Sequence, residues 1–164
     1  MKIKISSKKD LVEGDNSGKS INKIVVARGN SQAQLMIIGE APGAKEEEVG
    51  KPFVGRSGKL LDKFLQNAGI DENLDVYFCN VVKCRPPKNR RPTKIEIEEN
   101  LPWLYQQIRL VNPKVIVLVG ATALEAILKV KSPISILRGK WINWEGRLVM
   151  PVFHPSYLLR NPSK

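Results

Sequence analysis

Apolar runs that alternate with amphipathic segments organise most of the chain. Four continuous apolar runs predict strands buried on both faces, and they span residues 35–38, 76–82, 115–119 and 148–153. Apolar side chains at helical spacing predict helices, which span residues 57–68, 93–111 and 123–128. Ser57 and Thr93 are the expected N-caps, and Gly69 the expected end of the first helix. This alternation predicts an α/β fold, with helices on both faces of a parallel sheet.

Two weaker patterns flank this core. Residues 24–27 form one compact apolar run after a polar, Gly/Ser/Lys-rich start, which predicts a short edge strand and a loose basic arm over residues 1–20. Residues 141–144 predict a hairpin arm before the last strand. The sequence has no internal repeat, so we expect a single domain over residues 1–164.

Polar, glycine-rich turns follow three of the predicted strands. They hold residues 39–43, Asn80 with residues 84–87, and residues 154–156. Because the carboxyl ends of parallel strands meet at one edge of a sheet, a single crevice can contain all three turns.

Two residues in these turns have chemistry that the neighbouring apolar runs lack. His154 is the only histidine, so imidazole chemistry at neutral pH falls to it, unless it merely caps the turn that follows. Asn80 interrupts an apolar strand, and its amide either recognises a base edge or bridges the backbone.

The first turn and the loop after it add further candidates. Glu40 directly follows a buried strand, where a carboxylate is either hydrogen-bonded by loop amides or held for chemistry. Glu46 lies in the same acidic run, whose members Glu47 and Glu48 are most simply a solvated face. Phe53 lies in a loop bounded by Pro and Gly, and is either a core residue or a stacking platform for a planar ligand.

The charge balance favours a polyanionic partner. With 27 Lys and Arg against 16 Asp and Glu, the formal net charge is +11, which points first to nucleic acid and otherwise to a merely basic surface. Six basic residues, three prolines and no acid crowd into residues 83–94; the basic residues are Lys83, Arg85, Lys88, Arg90, Arg91 and Lys94. Prolines exclude a regular helix, so we expect an extended loop that contacts a phosphate backbone, or else a solvated loop.

Cysteine content and hydropathy limit the class of protein. Cys79 and Cys84 are the only cysteines, too few for a disulfide framework or, alone, for a zinc or iron–sulfur site. No apolar stretch is long enough for a membrane span, and residues 1–10 lack the apolar segment of a secretory signal. We therefore expect a soluble, cytoplasmic protein. A monomer is a separate expectation, which these patterns do not test.

Four ordered motifs carry a family resemblance. They read GEAPG at residues 39–43, GKPFVG at 50–55, NVVKCRPP at 80–87 and HPSYLLR at 154–160. In this order and spacing the chain resembles the family 4, thermostable-type uracil-DNA glycosylases, which are related to a phage DNA polymerase domain. The resemblance implies a three-layer α/β/α sandwich with a four-stranded parallel sheet.

The same resemblance implies a reaction and roles for individual residues. The reaction is hydrolysis of the N-glycosidic bond of flipped-out deoxyuridine, a step of base excision repair. Glu40 and Glu46 match the motif that positions or activates the attacking water. Phe53 matches the aromatic that stacks on uracil, Asn80 the amide that recognises its Watson–Crick edge, and His154 the histidine that contacts O2. Further implied contacts are Gly39, Ala41 and Ser156 to the base and Arg160, beside the basic loop, to the DNA backbone.

One family feature is missing from the sequence. Members typically hold a 4Fe–4S cluster on four cysteines, two near the amino end, one in the KCRPP motif and one about 16 residues later. Here Cys84 fits the third ligand, Asn100 stands at the fourth position, and residues 1–30 contain no cysteine. One ligand cannot hold a four-iron cluster, so we expect no cofactor and no metal, with Cys84 a lone remnant. The family also usually continues beyond the position of Lys164 into a last helix.

Three functions remain open at this point. The first is a monofunctional uracil-DNA glycosylase, and the second a weak or inactive module of the same fold that binds DNA or a modified base. The third is a small-molecule nucleotide enzyme that uses the same crevice. The presence of Glu40, Asn80 and His154 favours the first over the second, and the basic loop favours both over the third.

Overall fold

The computed structural model describes residues 23–161, and the basic arm predicted for residues 1–20 lies outside them. The strands are β1 (Arg28–Gly29), β2 (Leu35–Gly39), β3 (Val76–Asn80), β4 (Val115–Val119), β5 (Ile142–Trp144) and β6 (Arg147–Val152). The α-helices are α1 (Ala44–Val49), α2 (Arg56–Asn67), α3 (Lys94–Val111), α4 (Ala121–Leu128), α5 (Ile134–Leu137) and α6 (Pro155–Arg160). No helix among residues 23–161 has the length and apolar character needed to cross a membrane.

The strands form one mixed sheet in the order β1-β3-β2-β4-β6-β5. The four central strands, β3, β2, β4 and β6, are parallel and correspond to the four strands predicted from the apolar runs. The short strands β1 and β5 pair antiparallel at the two edges. The predicted α/β fold is confirmed, and the two edge strands widen its sheet.

Helices cover both faces of this sheet. Side chains alternate along β2, so Ile37 packs in one apolar cluster with residues of α2, and Met36 packs in another with residues of α3 and α4. Leu61 and Leu65 represent α2 in the first cluster, and Leu104 represents α3 in the second. The chain therefore has three layers, as the resemblance implied.

Helix ends follow local capping chemistry. The expected N-cap Thr93 is confirmed: its hydroxyl accepts from the Glu96 amide at 3.2 Å, and Glu96 accepts from the Thr93 amide at 2.7 Å. The expected N-cap Ser57 is wrong, because α2 begins at Arg56 and Gly55 precedes it. The amide of Gly55 instead donates to the side chain of Glu46 in α1. The polar pattern of residues 44–49 did not predict this helix.

The edge strand also differs from its prediction. Residues 24–27 are not in a strand; β1 is the next two residues, Arg28 and Gly29, opposite Phe78 and Tyr77. Val25 is nevertheless buried, and its amide donates to the Lys83 carbonyl at 2.8 Å. The predicted run therefore contributes Val25 and, in part, Ala27 to the core, whereas Ile24 and Val26 are exposed.

Strand register brings the polar turns together. Gly39, the last residue of β2, pairs with Asn80, the last residue of β3. Val119 of β4 pairs with Val152 of β6, two residues before His154. All four parallel strands therefore end at one edge, where the crevice was expected.

Candidate active site

A cleft of about 360 Å³ opens at this edge of the sheet. Its lining includes most of the residues predicted to act on a base, namely Glu40, Ala41, Glu46, Phe53, Asn80, His154 and Ser156. Gly39 lies between Phe53 and Asn80. Arg90 and Arg160, from the predicted DNA-contacting set, also line the cleft.

Asn80 has an amide that the fold itself does not use. The residue is 3% exposed, and its backbone carbonyl accepts from Lys83 Nζ at 2.6 Å. Among residues 23–161, no group hydrogen-bonds the side-chain amide of Asn80. Because this side chain bridges no backbone groups within that range and lies in the lining of the cleft, the geometry favours a ligand contact over the backbone-bridging alternative.

Phe53 is held in a conformation that bulky residues rarely adopt. Its φ is +56°, and its ring is 6% exposed and packs against Phe78 at a centroid distance of 5.8 Å. The ring is both a core residue and part of the cleft lining, so the two interpretations of Phe53 are compatible. Such backbone strain persists only where the surroundings enforce it.

Arg28 of β1 is one source of that enforcement. Its guanidinium donates to the carbonyls of Pro52 at 2.9 Å and Phe53 at 3.2 Å, and pairs with Asp62 of α2 at 2.5 Å. It also lies 3.8 Å from the centre of the Phe78 ring. Arg28 therefore joins the edge strand, α2 and the loop that carries Phe53.

Two glycines allow the close approaches around Phe53. A Cβ on Gly58 would lie 1.9 Å from the Phe53 carbonyl oxygen, so only glycine lets the first turn of α2 rest on this loop. A Cβ on Gly39 would lie 2.5 Å from both Phe53 Cζ and Asn80 Oδ1. Gly39 thus sets the spacing between the aromatic ring and the amide.

The two carboxylates of the first loop have different surroundings. Glu46 Oε1 accepts from the amides of Val54 at 3.1 Å and Gly55 at 2.7 Å, so it caps α2 and fixes the end of the Phe53 loop. Glu40 Oε2 accepts from the hydroxyl of Thr122, and no loop amide among residues 23–161 donates to its carboxylate. Loop amides therefore hold Glu46, whereas Glu40 is held by a single side chain.

His154 is the N-cap of α6, and this role fixes its chemistry. Its Nδ1 accepts from the Ser156 amide at 3.1 Å and lies 2.7 Å from the Ser156 hydroxyl. Because Nδ1 is an acceptor, the neutral ring carries its proton on Nε2. Burial lowers the pKa of His154 below its usual 6.5, an effect that Glu40 opposes and Arg160 reinforces. The capping alternative is correct, and it leaves Nε2–H as a donor at the cleft.

The basic loop departs from its prediction in two ways. Residues 87–89 form a single 3₁₀ turn, with Lys88 and Asn89 at φ values of +54° and +55°, so the loop is not extended throughout. Lys83 is 7% exposed, and its ammonium donates to the Asn80 carbonyl and, at 2.5 Å, to Gln107. The structure contradicts a DNA contact for Lys83, because its charge is enclosed in the core.

The arginines of this loop are paired with carboxylates. Arg85 contacts Glu47 at 3.2 Å, which also removes Glu47 from the solvated face assigned to it. Arg90 binds both oxygens of Glu96 at 2.7 Å, and these bonds, with the Thr93 amide, lower the pKa of Glu96 to about 2. Lys88 is exposed and makes no salt bridge among residues 23–161.

The residues present do not fit an iron–sulfur cluster. Cys79 is fully buried in the core, and Cys84 is the second and last cysteine of the sequence. Two cysteines, one of them buried in the core, are fewer than the four ligands of such a cluster. Asn100, at the implied fourth position, accepts from the Lys83 amide at 3.0 Å and donates to the Glu96 carbonyl at 2.8 Å.

Arg28 and Thr122 support the site, and neither is among the residues predicted from the sequence. Arg28 directly follows the apolar run 24–27, and its side-chain hydrogen bonds reach 24–34 residues along the chain, so no local pattern identifies it. Thr122 follows β4, the one central strand whose end was not assigned to the crevice. The turn Gly120-Ala121-Thr122 carried the signal, since it occupies the same position as the other three turns.

The chain is similar in sequence to several known proteins. The sequence profile described as the Uracil DNA glycosylase superfamily matches residues 26–164. The chain is 49% identical over 142 residues to a type-4 uracil-DNA glycosylase of Thermotoga maritima, covering 85% of this chain and 73% of that protein. It is 38% identical over 149 residues to the type-4 enzyme of Pyrobaculum aerophilum, covering 85% and 74%. It is also 34% identical over 140 residues to a DNA polymerase of Bacillus phage SP01, covering 85% of this chain and 15% of the polymerase.

Proposed function

Because the chain belongs to the uracil-DNA glycosylase superfamily, we propose that it removes uracil from DNA by hydrolysing the N-glycosidic bond of deoxyuridine. The observation that carries this proposal is the pair of unused polar groups in one cleft. The Asn80 amide and the His154 Nε2–H have no partner among residues 23–161, and Phe53 lies in the same lining. A planar base with polar edges complements this arrangement.

Uracil recognition rests on Phe53 and Asn80. A base in a duplex is inaccessible, so it must be flipped into the cleft, where the Phe53 ring stacks on it. The Asn80 amide offers one acceptor and two donors, which match the N3–H and O4 of uracil. Cytosine has an acceptor at N3 and an amino group at C4, so it leaves both groups of a fixed amide unpaired.

Bond cleavage rests on His154 and Glu40. As the C1′–N1 bond breaks, its electron pair moves to uracil and positive charge develops on the sugar. The neutral His154 donates from Nε2 to O2, where negative charge grows, and Glu40 faces the developing positive charge. Water then forms the new C1′–O bond, and Glu40 accepts its proton. Glu46 completes the site through its second oxygen, while its first holds the Phe53 loop.

DNA binding rests on basic residues at the rim of the cleft. The proposed contacts to the phosphate backbone are the predicted set without the enclosed Lys83, namely Arg85, Lys88, Arg90, Arg91 and Arg160. The salt bridge of Arg90 to Glu96 uses two of its donors and leaves others for a phosphate. Uracil-containing DNA is therefore the partner that we propose.

The test compares oligonucleotides that differ at one base. Single-stranded and duplex DNA with uracil, cytosine or thymine at that position is incubated with the protein and then treated with alkali, which breaks strands at abasic sites. Breaks in uracil-containing DNA alone are the expected result. A Glu40→Gln variant purified in parallel controls for contaminating host enzyme. Tight binding of uracil-containing DNA without breaks in any strand would refute hydrolysis and favour a binding module.

We also propose that the protein works without an iron–sulfur cluster. The residues around Cys84 and Asn100 hydrogen-bond one another where the family resemblance implies metal ligands. Iron analysis of the purified protein should find none, with no visible charge-transfer absorption. A brown preparation with about four irons per chain would contradict this proposal.

A further inference from the structure

A line of side chains runs from the surface to the Glu40 carboxylate. Glu125 of α4 pairs with Arg91 Nη2 at 2.6 Å, and Arg91 Nε donates to Thr122 Oγ1 at 3.1 Å. Thr122 Oγ1 in turn donates to Glu40 Oε2. These residues come from three places, namely α4, the end of the basic loop and the turn after β2.

The direction of each hydrogen bond in this line is fixed. An arginine Nε can only donate, so the Thr122 hydroxyl accepts from Arg91. A hydroxyl has a single proton, which is then directed to Glu40. Arg91 therefore determines where the Thr122 proton points, and Glu125 holds Arg91 in place.

Thr122 is a buried polar residue that its own helix does not need. It is 2% exposed and lies in the first turn of α4, where the N-cap Gly120 makes no side-chain capping bond. Its hydroxyl is not a cap either, because both of its contacts lie on other elements. Placing a hydroxyl there is costly unless it is hydrogen-bonded, and Glu40 is the acceptor.

We propose that Thr122 and Arg91 are positioning residues for Glu40, so that the line from Glu125 aims the carboxylate at the attacking water. This inference rests on the proposed glycosylase function. It also moves Arg91 out of the set that contacts the DNA backbone. Arg90 and Arg91 are neighbours in sequence but have different roles. Arg90 lines the cleft, whereas Arg91 positions Glu40 through Thr122.

The test separates the chemical step from DNA binding. Single-turnover rates of uracil release are measured with enzyme in saturating excess, and DNA affinity is measured on undamaged duplex. Thr122→Val keeps the shape and removes the hydroxyl; we expect a rate loss of about tenfold to a hundredfold, because a misplacement of about 1 Å costs up to about a hundredfold. DNA affinity should stay within about twofold, and Thr122→Ser should recover most of the rate, since it restores the proton donor.

The chain offers a matched control, because Thr93 is its other threonine. Thr93→Val removes the hydroxyl that caps α3 and does not touch Glu40, so it should lower the thermal midpoint of unfolding without lowering the saturated rate. In a Glu40→Gln background, followed over hours, Thr122→Val should add less than about a twofold loss, because its effect passes through Glu40.

Several results would overturn the inference. If wild-type protein releases uracil and Thr122→Val does so at the same rate, or if its loss multiplies fully with that of Glu40→Gln, Thr122 does not act through Glu40. Should Thr122→Val fail to fold, Arg91→Ala tests the same line at an exposed position: we expect a slower chemical step at unchanged DNA affinity. Weaker DNA binding at an unchanged saturated rate would return Arg91 to the phosphate backbone. Absence of uracil release by the wild type refutes the proposed function itself.

Discussion

Replacing Gly39 by alanine would insert one methyl group between the two parts of the proposed uracil site. The new Cβ would lie 2.5 Å from Phe53 Cζ and 2.5 Å from Asn80 Oδ1. Unstrained contacts between such atoms are about 3.5–4.0 Å long. The Phe53 ring and the Asn80 amide must therefore each move away from the new methyl group by about 1 Å. The substitution therefore tests the spacing of the site without removing any polar group.

Neither neighbour can move easily. The Phe53 ring packs on Phe78, and its backbone is held by Arg28, while the Asn80 carbonyl is held by Lys83. Overpacking of this kind costs about 1–3 kcal/mol of folding free energy. A displacement of about 1 Å in a reacting group costs up to about a hundredfold in rate. We therefore expect Gly39→Ala to fold with reduced stability and to release uracil about a hundredfold more slowly.

The assay measures single-turnover uracil release, the affinity for undamaged duplex and the thermal midpoint of unfolding. Duplex affinity should stay within about twofold, because the basic rim is untouched. In a Phe53→Leu background, which lacks Cζ, Gly39→Ala should lose less stability than in the wild type, since half of the overlap is gone. Uracil release by Gly39→Ala at the wild-type rate would refute the assigned positions of Phe53 and Asn80.

Four further predictions follow from the site. His154→Ala should keep DNA affinity within a few fold and lose about a hundred- to a thousandfold in single-turnover rate, as for an oxyanion donor of about 2.7–4 kcal/mol; an unchanged rate removes it from the site. Burial lowers the pKa of His154, so the unfolded chain binds a proton at this residue more readily than the folded chain does. The free energy of unfolding should therefore fall as the pH drops below 6.5. Denaturant titrations at several pH values should show a flatter pH dependence for His154→Gln. Asn80→Asp should lose preference for uracil over cytosine and thymine in competition assays, because a carboxylate has no amide donors. Arg90→Ala should flatten the slope of log affinity against log salt by up to about one unit, and an unchanged slope would assign Arg90 to structure alone.

The central fold could be predicted because its signals are local. The apolar run of β4 appears in the sequence with the bounds seen in the structure, residues 115–119, since a strand buried on both faces needs every side chain to be apolar. Thr93 was equally clear, because a capping box places its two partners three residues apart. Both features depend on neighbours in sequence, which a pattern records directly.

The bracing of the site could not be predicted because its contacts are distant. Glu46 is predicted as a catalytic candidate, yet no sequence pattern predicts that it also caps α2 across 8–9 residues. Lys83 was assigned to DNA from the charge of its segment, yet its ammonium turns inward to Gln107, 24 residues away. A sequence shows which charged side chains are present. Only the tertiary fold determines whether each of them contacts solvent, substrate or another charged side chain.

The buried side chain of Lys83 explains how hydrogen bonds alone can stabilise the end of β3. Its ammonium binds the Asn80 carbonyl, and its amide donates to Asn100, which donates to the next helix, α3. Burial lowers the pKa of Lys83, and its acceptors offset part of that cost, since a hydrogen bond to a charged group contributes about 1.5–3 kcal/mol. The cysteine implied at position 100 would offer only a weak donor and a weak acceptor in place of the two amide groups of this bridge. Asn100 therefore connects the backbone next to Asn80 to α3 through neutral hydrogen bonds. Asn80, which we assign to uracil recognition, is thus held in place without a metal cluster bound to Cys84.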